Sequence, residues 1–423
     1  MSWMSISDLA NGRTWDSLPS EIQDLVLARL DLTDLYNVVR VCRSFREALF
    51  RDSFKQARAR LHPLECTLSP SLFCVERNWW HLWGFDWKDH SWRMLPPFTC
   101  PIPVPDPDSF RKFPVAGKHG LICANMGRSS EPAKLYIFNP LTGEAQQLPS
   151  LNYPRHPVVI SLQVTTPGRA DFRVIAVGSA AVGNGHLSRK TEVYCSVSRR
   201  WEVAGDVPGE FSLNEYQTGV FCETQNLLLC TGFMVDGRKG ILAFDVVTSE
   251  WRARWVCPFL SLHLRSPSSR VIDQLVECNG VIYLFSEQVT DFSMPMSAFS
   301  EQESPRCVTH CIDKLNLWSE EGYTWTRRLT KQLSARKSED PSEHPKFTCV
   351  PVGKHNLCIF NTDELTGKVY DMSKETVDIS HNESLPTPPL LRRSAMNCLN
   401  LGCYLLGAVL PDLKPDEDVN IAL

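Results

Sequence analysis

No Cys-x-x-Cys pair occurs in this 423-residue sequence, although it contains 16 cysteines. The nearest approach to a ligand cluster is Cys307, His310 and Cys311, and no second pair stands at the spacing a tetrahedral zinc site needs. G-x-G-x-x-G and G-x-x-x-x-G-K-[ST] are missing, which excludes the common phosphate-binding loops, and so are H-E-x-x-H and G-x-S-x-G. Histidines are isolated, and no carboxylate pair is marked out. No catalytic residue, metal or cofactor is therefore expected. Long apolar runs are missing too. The longest, Cys398 to Leu410, is too short for a bilayer and is broken by Asn400. There is no excess of either charge: 44 basic against 48 acidic residues give a net charge of −4, which argues against nucleic acid and membrane surfaces as partners. Residues 1–11 lack the apolar core and cleavage-like ending of a secretory signal, so the expectation is a protein of the cytoplasm, the nucleus or both. Its cysteines then read as reduced, small buried hydrophobes.

What is present falls into two parts. Residues 15–50, WDSLPSEIQDLVLARLDLTDLYNVVRVCRSFREALF, carry helical periodicity. Pro19 and Glu21 suit the first turn of a helix. Ile22, Leu25, Val26 and Leu30 follow as an apolar stripe. Thr33 reads as the cap of a second helix that includes Leu35, Val38 and Val39. Val41, Cys42, Phe45 and Leu49 supply a third stripe. Arg51, Lys55, Arg58 and Arg60, two to four apart, read as a solvated helix face, with a contact for an acidic partner as the alternative. Three short helices make a small core, and apolar residues point in more than one direction. The segment either completes its core with another chain or caps the rest of this one.

This segment resembles an F-box. LPSEI at 18–22 matches the family's opening, Leu25, Val26 and Leu30 its Ile-Leu-x-x-Leu, and Asp34-Leu35 its Asp-Leu. Val41-Cys42-Arg43 matches its Val-Cys-basic, with Phe45 at the aromatic position. Asp31-Leu32 replaces the usual Leu-Pro. The resemblance implies binding to a Skp-family adaptor through Leu18, Pro19, Ile22, Leu25, Val26, Leu30, Leu35, Val38, Val41, Cys42 and Phe45. Some of these must instead hold the helices together, and periodicity does not separate the two groups.

Beyond about residue 70, short β-rich runs and Pro/Gly punctuation take over. One layout recurs at 80–96, 135–149, 191–208, 241–255, 311–329 and 369–380: a strand ending in a polar residue, a turn, then a second strand with Trp or a substitute. The outer-strand positions align as Trp92, Gln146, Trp201, Trp251, Trp325 and Val377. Their interval is about 50 residues, the kelch-like period of a β-propeller, and is longer only where 294–306 reads as an insertion. Six blades are the first count and seven the alternative. The stretch from Met396 to Leu410 is expected to close the ring onto the first blade. The repeated Trp reads as packing between blades.

GLICA, FNPLTGEAQQLP, TEVYCSVSRRW, GILAFDVVTSEW, LVECNGVIYL and VYDMS are similar to phrases of the propeller half of plant F-box/kelch-repeat proteins. The expected architecture is an α+β multidomain chain: a three-helix F-box domain at 13–61, a linker at 62–78, an all-β kelch-like propeller at 79–413 and a tail at 414–423. The resemblance implies a non-catalytic substrate receptor of a Skp–cullin–F-box ubiquitin ligase, joined through the adaptor to cullin and a RING subunit. The alternatives are a propeller that binds a small molecule or glycan, an F-box protein outside a ligase, and a propeller hydrolase. The polar stretch 330–346 reads as a connecting loop, with modification or self-ubiquitination as its stronger reading. The proline-rich 96–107 reads as an extended connection between blades.

Overall fold

The computed structural model describes residues 15–399 except 39–40, 50, 62–67, 77–78, 88, 96–112, 119, 129, 140–143, 167–168, 180–186, 214–215, 236–238, 253–256, 259–269, 292–305, 320–321, 337–346, 353–354, 363, 375–382 and 390–394. A 3₁₀ turn at Trp15–Ser17 precedes α1 (Ser20–Leu27), α2 (Leu32–Val38), α3 (Arg43–Ala48) and α4 (Asp52–Leu61). The fourth helix, beyond the three apolar stripes, lies where Arg51, Lys55, Arg58 and Arg60 read as one face of a helix. Its basic residues disguised it as a solvated face, but Phe54 is fully buried and Arg58 nearly so. Arg58 Nη1 donates to the carbonyls of Ala28 (3.3 Å) and Leu30 (2.6 Å), where α1 ends and its last C=O groups need donors. Asp31, not Thr33, caps α2: its Oδ1 accepts the Asp34 N–H at 2.8 Å.

Strands follow. The first blade holds β1 (Leu68–Glu76), β2 (Trp79–Asp86) and β3 (Ser91–Leu95), and the second holds β4 (Val115–Lys118), β5 (Leu121–Asn125), β6 (Leu135–Asn139) and β7 (Glu144–Gln147). The third holds β8 (Val159–Thr166), β9 (Arg169–Val177), β10 (Thr191–Cys195) and β11 (Arg200–Val203). After β12 (Phe211–Ser212) and β13 (Gln217–Thr218), the fourth holds β14 (Val220–Cys222), β15 (Leu227–Met234), β16 (Lys239–Asp245), β17 (Glu250–Trp251) and β18 (Cys257–Pro258). The fifth is β19 (Arg270–Cys278), β20 (Val281–Asp291), β21 (Arg306–Ser319) and β22 (Gly322–Arg336). The sixth is β23 (Phe347–Val352), β24 (Asn356–Asn361), β25 (Thr366–Asp371) and β26 (Glu383–Leu385).

The last described strand, β27 (Ala395–Leu399), returns to the first blade and pairs antiparallel with β1, Ser71 opposite Leu399 through Val75 opposite Ala395. Six sheets result, and the inner strands touch in the cyclic order β27, β4, β8, β14, β19, β23 and back to β27. The fold is a closed six-bladed propeller behind a small helical region. Closure by the C-terminal stretch is as expected. Two boundaries change. The expected linker at 62–78 contains β1, so the propeller begins by Leu68, and residues 330–336 of the expected loop belong to β22. Residues 400–423 and the loop at 96–107 lie outside the described residues.

The core consists of layers between blades rather than one centre. Alternate side chains of a strand point to opposite faces, and here both faces are covered. In β5, Leu121 and Cys123 join the layer with the third blade, while Ile122 and Ala124 join that with the first. In β15, Leu227 and Leu229 face the fifth blade, and Leu228 and Cys230 face the third. In β24, Cys358 and Phe360 face the first blade, and Leu357 and Ile359 face the fifth. Burial on both faces makes the second strand of a blade an unbroken apolar run, LICA, LLLC or LCIF, instead of an alternating one. Helical residues Leu27, Leu35, Leu49 and Phe54 share one buried cluster with Leu82 of the first blade and Ile122 and Phe138 of the second.

In blades one, three and four the repeated tryptophan joins its blade to the preceding one. Trp201 Nε1 donates to the Pro149 carbonyl at 2.8 Å, Trp251 Nε1 to the Gly205 carbonyl at 3.0 Å, and Trp92 Nε1 to the Pro386 carbonyl at 2.5 Å. Each acceptor lies just past the outer strand of the neighbouring blade. Trp325 packs against the cluster of blades four and five. Register corrects two alignments. Trp92, Trp201 and Trp251 stand opposite Phe85, Tyr194 and Phe244, and the residue opposite the matching Phe138 is Ala145, not Gln146. A slip of one residue reverses the face. In the sixth blade the outer strand is Glu383–Leu385, and Val377 lies outside the described residues.

One buried ion pair fixes the turn into blade three. Arg155 contacts Glu192, and its other N–H groups reach the carbonyls of Tyr153, Ala176, Gly178 and Lys190. Glu192 also accepts the N–H of Asn152 at 2.7 Å. Removing one partner leaves a buried charge uncompensated, so Glu192→Ala is expected to cost about 3–5 kcal/mol in urea denaturation. Trp201→Phe, which keeps an aromatic ring but loses the N–H and part of the bulk, is expected to cost at least about 1–2 kcal/mol in the same assay.

Candidate functional site

The helical region separates the eleven sequence-predicted adaptor residues into two groups. Leu18 (37% exposed), Ile22 (44%), Leu25 (39%), Val26 (42%) and Val41 (72%) face solvent. Pro19 and Cys42 are exposed beside them. Leu35 is buried, while Leu30, Val38 and Phe45 are half-buried against Leu27, Leu49 and Phe54. Trp15 and Phe45 meet edge to face at 4.9 Å. Among the described residues the molecule exposes thirteen large hydrophobic side chains, and five of them fall within residues 18–41.

The orientation of α1 explains the sorting. Ile22, Leu25 and Val26, at i, i+3 and i+4, share one face, and that face is outward. The inward face is Gln23, Asp24, Leu27 and Ala28. Asp24 is 1% exposed and is paired with Arg51 at 2.6 Å; it also accepts the Ser53 hydroxyl. Gln23 Nε2 donates to the carbonyls of Trp15 (3.0 Å) and Leu18 (3.1 Å), fixing the Leu18-Pro19 approach to the helix. These inward polar residues were not legible as site-forming. The one available signal was Asp24 interrupting an apolar stripe, with Arg51 and Ser53 too far along the chain to suggest partnership.

The propeller offers a second surface and a channel. Inner strands all run the same way, and at their C-terminal ends Lys118 Nζ lies 3.1 Å from Glu223 Oε1 and 3.6 Å from Glu277 Oε2. This contact links blade two to blades four and five across the axis. Behind it lies a cavity of about 130 Å³ walled by inner strands of blades two to six. The chain enters β1 on the side where Leu68 pairs with Asp86. Strands β3, β9 and β20 end, and β4, β10 and β21 begin, on the other side.

Candidate nucleophiles are subdued. Burial pushes the thiols of Cys123, Cys230 and Cys278 up to about 12. Burial also raises Cys195, but N–H groups of Ser198 and Val197 outweigh it and hold that thiol below its ordinary value. The corresponding turn of the next blade holds Asp245, whose Oδ1 takes the N–H groups of Val247 and Thr248. His310 and Cys311 are adjacent on β21 and point to opposite faces. His310 lies 3.1 Å from Glu287 instead. Among the described residues no helix is long and apolar enough to cross a membrane.

Residues 15–57 match the F-box-like family model. F-box only protein 6 of Arabidopsis thaliana is 23% identical over 254 residues, 58% of this chain and 49% of that protein, so the match spans about half the relative's length. Similar solved structures include an α-L-arabinofuranosidase of Fusarium graminearum with arabinobiose (8% identity, 68% of this chain and 83% of that one, TM-score 0.41). A nidogen/laminin complex is another (12%, 75% and 93%, TM-score 0.40).

Asp24→Ala is expected to leave Arg51 and Ser53 without their buried acceptor at a cost of about 1–3 kcal/mol. Amide hydrogen exchange should show this as faster opening of α4, with the propeller strands unaffected.

Proposed function

We propose that this chain is the substrate-recognition subunit of a Skp–cullin–F-box ubiquitin ligase. The observation that carries the reading is the outward apolar face of Leu18, Ile22, Leu25, Val26 and Val41 in a segment that matches the F-box-like model. An uncovered face of this kind on a small helical unit is complementary to an apolar groove on a partner, here the Skp-family adaptor. The adaptor links to cullin and, through it, to a RING subunit with the ubiquitin-charged conjugating enzyme.

The receptor supplies no reacting group on this reading. It raises the local concentration of a target lysine near the thioester, and effective molarity does the rest. That requires the two binding surfaces to be held at a fixed separation. Shared burial of the helices with blades one and two supports such a linkage. We assign the target to the side of the propeller where β3, β9 and β20 end and β4, β10 and β21 begin, away from the chain's entry into β1. The kelch-like character of the repeats and a place in the cytoplasm or nucleus belong to the same proposal.

Co-expression with a Skp-family adaptor and cullin tests it. Wild type should co-purify with both. Ile22→Asp plus Val26→Asp adds charge to exposed positions without touching the core, and should weaken adaptor binding by about 3 kcal/mol or more, at least a hundredfold in Kd. An unchanged affinity, or wild type that recovers no adaptor, overturns the reading.

A further inference from the structure

The cavity on the propeller axis has properties that adaptor and target binding do not use. Its walls are strand edges. Strands β4, β19 and β23 each lie at the end of their sheet, so one edge of each turns its N–H and C=O groups towards the axis. A bare edge is a row of alternating donors and acceptors. Some of these are clasped between neighbouring strands: Gln274 holds both the N–H (2.8 Å) and the C=O (3.0 Å) of Cys349, and the Thr218 hydroxyl donates to the Val115 carbonyl. The hydroxyls of Ser161 and Thr218, the latter with its proton given to Val115, add acceptors to the lining beside apolar Val115, Leu162 and Val220.

Charge narrows the class of occupant. Lys118 and Glu277 are the charged residues of the lining among those described, and they pair with each other. With Glu223 also on Lys118, no cation is left to hold an anionic ligand at that end. The volume, about 130 Å³, is roughly ten times what one buried water needs. Thr218, near the opposite end, is exposed, so the cavity is reachable from there.

We propose that the channel is a binding site for a neutral polyhydroxylated molecule of about monosaccharide size. Each hydroxyl both donates and accepts, which suits strand edges presenting both kinds of group, and the apolar lining residues suit the C–H faces of such a ring. The ligand enters from the side away from the Lys118–Glu277 pair, which closes the other end. This site is independent of the ligase reading, because adaptor binding uses the helical segment alone.

Isothermal titration of the full chain with D-glucose and with myo-inositol tests the proposal, alongside Thr218→Phe, which fills the channel from an exposed position. Wild type should bind at least one of the two at millimolar concentration or better, and Thr218→Phe should weaken that binding at least about tenfold. Lys118→Gln is the second variant: it removes the closing charge without adding bulk and should weaken binding several-fold. Both variants are checked for an unchanged thermal midpoint. No heat from either ligand with wild type, or binding unaltered in both folded variants, overturns the proposal.

Discussion

Ring closure is the constraint on which the rest of this structure depends. Strand β27 is the last described and pairs with β1 to become the inner strand of the first blade. Without it that blade would have a bare edge at the axis, and the cyclic contact of inner strands would be open between β23 and β4. Long-range pairing of this kind costs loop-closure entropy before it returns any contact energy. What returns the energy is the layered core, in which each sheet is covered on both faces. The tryptophan N–H bonds to the neighbouring blade then set the angle between sheets, since each needs a particular carbonyl within reach.

The helical segment solves a different problem, that of staying folded while leaving its most apolar face uncovered. A helix with Ile22, Leu25 and Val26 outward would ordinarily roll over to bury them. Here Asp24 opposes that rotation, because turning it outward would break its pairing with Arg51 and its bond from Ser53. Gln23, bonded to two carbonyls of the preceding turn, opposes it as well. Polar groups in the interior therefore fix the orientation of an apolar surface. Arg58 completes the arrangement by filling the end of α1 with donors.

Much of this was legible in the chain. The six hairpins, their approximate period, closure from the C-terminal side and the packing role of tryptophan followed from local pattern, since each unit repeats the same turn chemistry. The F-box motif placed the adaptor candidates within a single segment. What the pattern could not show depends on contacts distant in sequence. The inward side of helix α4 was hidden because Arg51 and Arg58 look solvated until Asp24 and the end of α1 are seen beside them. Ala145 could not be distinguished from Gln146 because register is decided by the partner strand. The strand at Leu68–Glu76 reads as linker in the sequence because its partners are 79–86 on one side and 395–399 on the other. Exposure of Leu18, Ile22, Leu25 and Val26, against burial of Leu35, depends on the same unseen contacts.

Side-chain footprinting of the full chain, free and bound to a Skp-family adaptor, tests the central claim most directly. The account predicts that Leu18, Ile22, Leu25, Val26 and Val41 are labelled in the free chain and protected in the complex, while Leu35 and Phe54 are unlabelled in both. Protection falling on the propeller instead, with residues 18–26 labelled equally in both states, would contradict it.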